Sequence, residues 1–179
     1  MFERYRYRRE VDHATALAVA ADEGTLARAT GVVHQLDRTL VAPASGRYAV
    51  VYALDVRDAA PDPNRLGRDA PFETVELCPF VLRTDDVGDI LVDSLFGELR
   101  APRVAIGEPA EGWQAYKDDK GIAFQFVPHE AVVQHHYRIT VVGTVARRLG
   151  GIGDVGFRDA ATTLCLVGDI DRPLVIAVG

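Results

Sequence analysis

The sequence predicts a mainly β fold, a small barrel or sandwich, with one helix near the N-terminus. Three observations lead there. Short runs rich in Val, Ile, Tyr and Thr recur along the chain, divided by Gly, Pro, Asp and Ser. Only one segment reads as a helix, which disfavours alternating β-α-β units. The chain has 179 residues, 48% of them hydrophobic and 26% charged, so it suits one globular domain with a sizeable core. An OB-like barrel is one form such a set of strands can take.

The elements follow in order. Val11–Glu23 is rich in Ala, Leu and Val and is followed by Gly24, which predicts the helix. Upstream, Phe2–Tyr7 alternates apolar and charged residues, as a short strand or docked arm would. Strands are expected at Thr30–Leu36 and Arg47–Arg57. The second carries Tyr48, Val50, Tyr52, Leu54 and Val56 on one face and Ala49, Val51, Ala53 and Asp55 on the other. Both faces are apolar near its middle, as in a central strand. Further strands are expected at Phe72–Leu77, Phe80–Arg83, Asp89–Asp93, Phe124–Val127, Ile139–Ala146, Thr162–Val167 and Leu174–Val178. Asp85-Asp86-Val87-Gly88 has the chemistry of a hairpin loop. Arg57–Ala70, Gly107–Gly121 and Gly150–Gly156 read as loops. Residues 1–25 form an arm and helix, and 26–179 the β domain.

Charge narrows the function classes. The net charge of −6 argues against a dedicated nucleic-acid binder or a polybasic membrane-surface protein. No apolar run reaches the ~18 residues of a spanning helix, and none follows the basic N-terminus at signal-peptide length, so a soluble, cytoplasmic chain is expected. Only Lys117 and Lys120 among the 20 basic residues are lysine. That bias fits a GC-rich, bacterial codon composition, although arginine also forms forked bonds that lysine does not.

Candidate chemistry is sparse. In His129-Glu130-Ala131-Val132-Val133-Gln134-His135-His136, the position four residues after the first His is Val133, so the two-histidine metalloprotease pattern fails. A zinc site from His129, His135 or His136 with Glu130 competes with a plain surface turn. Asp85, Asp86, Asp89 and Asp93 fit turns better than a calcium loop. Cys78 and Cys165 read as buried thiols, since nothing local supplies the positive surroundings of a reactive one. Ser45-Gly46 lacks the nucleophile-elbow pattern, and Gly150-Gly151-Ile152-Gly153 lacks a phosphate-binding context. In Arg4-Tyr5-Arg6-Tyr7-Arg8-Arg9 the rings and guanidiniums can stack on bases, protect a sheet edge or dock a partner.

The turns and strands together carry a family resemblance. Gly31-Val32-Val33 is followed by Leu40-Val41-Ala42-Pro43-Ala44-Ser45-Gly46-Arg47 and a strand through Tyr48 and Tyr52. After the insert Arg57–Ala70 comes Pro79-Phe80-Val81-Leu82-Arg83-Thr84-Asp85-Asp86-Val87-Gly88-Asp89-Ile90-Leu91-Val92-Asp93, then Val142-Gly143-Thr144-Val145 and Leu174-Val175-Ile176. Over residues 26–178 this order resembles the GIDE domain, also called BAM for "beside a membrane", of membrane-anchored mitochondrial RING ubiquitin ligases and many bacterial proteins. The resemblance implies an interaction module. It departs from those ligases in lacking transmembrane helices and a RING, whose eight Cys/His ligands cannot be drawn from a chain with 2 cysteines.

The expectation is therefore a non-enzymatic domain that binds a protein, including a membrane-associated one, or a small ligand. Its contacts would come from loops Arg57–Ala70 and Gly107–Gly121, with Trp113 and Tyr116 as exposed anchors and Arg4 and Arg6 from the arm. No cofactor, metal or catalytic residue is expected. The alternatives are an OB-like nucleic-acid module using the basic arm and a metal-dependent hydrolase using His129, His135 and His136.

Overall fold

The computed structural model describes residues 2–58, 72–122, 126–149 and 162–178, and their side chains except at positions 2–5, 58, 149 and 162. The chain runs α1 (Phe2–Asp12), β1 (Thr15–Ala16), β2 (Leu26–Gln35), β3 (Leu40–Val41), β4 (Tyr48–Ala49), β5 (Val51–Asp58) and β6 (Phe72–Leu77). It continues with β7 (Phe80–Thr84), β8 (Gly88–Val92), β9 (Gly97–Arg100), β10 (Val104–Ala105), α2 (Trp113–Lys120), β11 (Phe126–Val133), β12 (Arg138–Leu149), β13 (Thr162–Val167) and β14 (Leu174–Val178).

Five strands close on themselves. β2 pairs antiparallel with β7, and β7 with β8. β8 pairs parallel with β13, which pairs antiparallel with β12, and β12 returns antiparallel to β2. In chain order the barrel strands are β2, β7, β8, β12 and β13, so the order around the barrel is 1-2-3-5-4-1 with one parallel pair. That is the OB arrangement. The expected small β-barrel is the fold.

Closure depends on alternation. In β2 the residues Ala27, Ala29, Gly31 and Val33 point inward and are buried, while Arg28, Thr30, Val32 and His34 point out. Phe80, Leu82, Ile90, Val92, Val141, Val145 and Leu166 fill the same interior. Gly31 is the tight point. A Cβ there would lie 2.3 Å from the carbonyl oxygen of Arg83, so any side chain would push β2 off β7.

Two insertions build the rest. Residues 36–79 separate the first and second barrel strands, and residues 93–137 separate the third and fourth. The first supplies β5 and β6 and the second β10 and β11, which join as a four-stranded sheet in the order β10-β11-β5-β6. β5 sits inside that sheet, as its two apolar faces predict. Its phase differs from the expectation. The strand breaks at Val50, whose N–H reaches Val133 and whose carbonyl takes Cys78 N–H. Val50 and Val51 then both face the barrel core, while Ala49 falls in with Tyr52, Leu54 and Val56 on the opposite side.

Three expectations are corrected. The helix lies at Phe2–Asp12, over the arginine and tyrosine arm, and not at Val11–Glu23. Tyr7 and Val11 are four residues apart, share a helix face and pack on Val142 and Val175. Arg6 pairs with Glu10 on the outer side, and Arg28 caps the last carbonyls, those of Val11 and Asp12. Within Thr15–Ala21, by contrast, only Leu17 has a core position, while Ala18, Val19 and Ala20 stay exposed. Gly107–Gly121 contains a helix, α2, stopped by Gly121 in the left-handed conformation. His129–Val133 is part of strand β11 and not a surface turn. The glycine-rich stretch Gly150–Gly156 and most of Arg57–Ala70 lie outside the described residues.

Candidate binding surface

Trp113 and Tyr116 are placed by α2 against the second sheet. Trp113 is 6% exposed and belongs to a core with Ala42, Ala44, Ala49, Tyr52, Leu54 and Val56. Tyr116 stacks on it with centroids 5.7 Å apart and meets Phe72 edge-on. Burial raises the pKa of Tyr116, and burial followed by a hydrogen bond to Glu76 raises that of Tyr52. Trp113 is thus a core residue and not an exposed anchor. At the arm, Arg6 is exposed and paired with Glu10, while the side chain of Arg4 lies outside the described residues. Tyr7 is buried and donates its hydroxyl hydrogen to the Pro173 carbonyl at 2.6 Å, so its ring does not form an open stacking platform.

The histidines divide. His129 lies in β11 opposite Asp55 of β5, which is opposite Glu73 of β6. Asp55 is buried and takes both donors of Arg57 at 2.7 and 2.9 Å, with Arg103 at 3.7 Å and Arg103 also held by Glu73. This row is an ion-pair network within the sheet. His135 and His136 sit in the turn after β11, whose last residue, Val133, is already about 13 Å of strand from His129. They gather instead with His34 of β2: ring centroids are 5.2 Å apart for His34–His135, 5.7 Å for His34–His136 and 3.7 Å for His135–His136. Among the described residues, no group of three His, Cys, Asp or Glu side chains is arranged to hold a metal ion.

The other reactive types are already committed. Glu130 is buried, and its two oxygens accept the N–H groups of Ala44 and Ser45 at 3.0 and 3.1 Å. That carboxylate fixes the turn of the Ala42–Arg47 motif, a role with no sequence signal because the partners are 85 and 86 residues apart. Cys78 and Cys165 are buried, and burial raises both thiol pKa values, which keeps them protonated.

Part of the outer face of the barrel at β12, β2, β7 and β8 is exposed. One row across these strands is Arg138, Val32, Arg83 and Asp89. In the next row, His34, Val81, Leu91 and then Cys165 of β13, the side chains of Val81 and Cys165 are buried. Arg83 bonds Asp89 twice, at 2.9 and 3.1 Å, and holds that carboxyl below the usual carboxylate range. Both side chains remain well exposed, at 59% and 41%. Arg138 pairs with Asp85 and, farther round, Arg148 with Asp93. At one end of the face lies the histidine group. At the other, a cavity of about 260 Å³ is bordered by Leu17, Arg28, Thr30, Thr84, Asp85 and Arg138.

β2 thus carries Arg28, Thr30, Val32 and His34 outward in every second position, which is visible in sequence. Its partners from β7, β8 and β12 are brought beside it only by barrel closure. Comparison with family models, curated proteins and solved structures finds no match to this chain.

Proposed function

We propose that this chain is a non-enzymatic protein-interaction domain that binds its partner on the outer face of β12, β2, β7 and β8. The observation that carries the reading is the row Arg138, Val32, Arg83, Asp89. It is exposed, and its cations are matched by Asp85 and Asp89. A mixed-charge surface with apolar residues between the pairs suits a protein surface. OB barrels hold their ligands on the corresponding strands, an analogy of fold that supports the location and not the partner. Interaction is also what the resemblance to the GIDE domain implies, and its motifs fall here on strands and turns, with Phe80–Val92 forming the β7–β8 hairpin. Cytoplasmic residence and a membrane-associated partner stay part of this proposal. Among the described residues no helix is long and apolar enough to cross a membrane.

The nucleic-acid reading gains the barrel topology but not the charge. A polyanion would have to displace Asp85, Asp89 and Asp93 from their arginines, and the basic arm is a helix with Tyr7 buried. Affinity purification from the native host, repeated with Arg83→Glu, tests the choice. The proposal expects a protein partner whose recovery falls about tenfold with the charge reversal, as the loss of one close charge pair would produce. Salt-sensitive binding to single-stranded DNA or RNA, with no partner dependent on Arg83, would overturn it.

A further inference from the structure

The turn between β11 and β12 is fastened to the end of β2 in a way that depends on a neutral imidazole. Three hydrogen bonds join them. Val33 N–H donates to the Tyr137 carbonyl and His136 N–H to the Val33 carbonyl, both at 2.9 Å. The third runs from Gln35 N–H to Nδ1 of His135 at 3.3 Å. An imidazole accepts through a ring nitrogen only while that nitrogen carries no proton, and an imidazolium has no acceptor at all. Proton uptake by His135 would therefore set two N–H groups facing each other where a hydrogen bond had been.

The surroundings amplify that change. His34 and His136 lie within 5.2 and 3.7 Å of the His135 ring, centroid to centroid. From β7, Arg83 adds a positive charge that lowers the His34 pKa, after burial as the larger cause, and His135 and His136 lower it further. The carboxylate facing this end is Asp89 of β8, already doubly bonded to Arg83. The chain leaving β2 carries Asp37 and Arg38, of opposite sign. The turn itself is under backbone constraint, because His136 adopts a positive φ of 68°. Gln134, at the start of the turn, also holds the Tyr48 carbonyl at 2.9 Å, so its movement would reach the exposed Tyr48 of β4.

We propose that residues 134–137 form a proton-operated latch, closed on β2 when His135 is neutral and released when it is protonated. The direction follows from the equilibrium. Only a neutral ring can accept from Gln35 N–H, so proton uptake by His135 opens the latch and proton loss closes it. The latch stands apart from what the outer face binds, although it borders that face and would change its end.

Amide exchange followed by NMR on the full chain tests it, at about pH 7.5 and about pH 5 after correction for intrinsic exchange. The expected result is an approximately tenfold or greater loss of protection at Gln35, Val33 and His136 in acid, while β12 amides facing β14 keep theirs. In His135→Asn the side-chain oxygen can stand where Nδ1 stands and does not titrate, so the acid response should shrink to less than about twofold. His135→Ala should leave Gln35 unprotected at both pH values. An equal acid response in wild type and His135→Asn overturns the proposal, as does no response in wild type. Imidazole nitrogen shifts of the wild-type chain supply a second reading without any variant: Nδ1 of His135 found protonated at the higher pH would also overturn it.

Discussion

At the residue scale, much of the molecule's chemistry is already committed to structure. Glu130 is the clearest case. A carboxylate in a buried position is costly unless its oxygens are bonded, and both of them take backbone N–H groups of the Ala44–Ser45 turn. Replacing Glu130 with Ala should lower the unfolding free energy by about 2–3 kcal/mol, since two charge-assisted hydrogen bonds are lost and two N–H groups are left unpaired. Glu130→Gln, which retains one acceptor oxygen, should cost roughly half as much. Urea denaturation measures both, and a loss below about 0.5 kcal/mol for the Ala variant would show that the turn holds without its anchor. His34 shows how far residue patterns carry in sequence: its outward place on a strand follows from alternation, while its meeting with His135 requires a contact across about 100 positions.

At the element scale, most of the longer strands are legible in the sequence, while β9, much of β11 and the helices are not. β6, β13 and β14 fall where β-branched and aromatic runs place them, because such residues suit a half-buried pleated surface whatever lies around it. Alternation in Arg4–Arg9 imitates a strand, while the helical spacing that decides for α1 rests on Tyr7 and Val11 finding Val142 and Val175. Helices this short draw their stability from such docking. α2 did leave a trace: Lys117 and Lys120 in the last turn and Gly121 after it are a helix-stop signal. The docking of α1 makes a prediction in alkali. Burial, partly opposed by Arg172, pushes Tyr7 up to about 12. Its pKa is thus raised on folding, so its stabilisation is complete below about pH 10, the unfolded value, and is lost as pH rises through the folded value. Tyr7→Phe should flatten part of the stability loss between about pH 10 and pH 12, the remainder belonging to Tyr52 and Tyr116, whose values burial also raises. Thermal melts across that range check it, and identical profiles for the two proteins would contradict the docking account.

At the scale of the whole molecule, composition and strand grammar pointed to a barrel, but only the pairings show which five strands close it. They also show that the two insertions do not form separate loops. Strands from residues 36–79 and 93–137 combine into one sheet, which draws Trp113 and Tyr116 into a core and removes the premise on which they were expected to bind. The proposed binding surface is the barrel's outer face, where Arg83 pairs with Asp89 and Arg138 with Asp85. We propose this face as the partner-binding surface, and site-specific photo-crosslinking distinguishes it from the second sheet. A crosslinker placed at Val32 or Leu91 reports on the outer face, and one at Gln114 or Asp118, exposed on α2, reports on the far side of the second sheet. The account predicts discrete protein adducts from positions 32 and 91 and none from 114 and 118. Adducts confined to the α2 positions would contradict it.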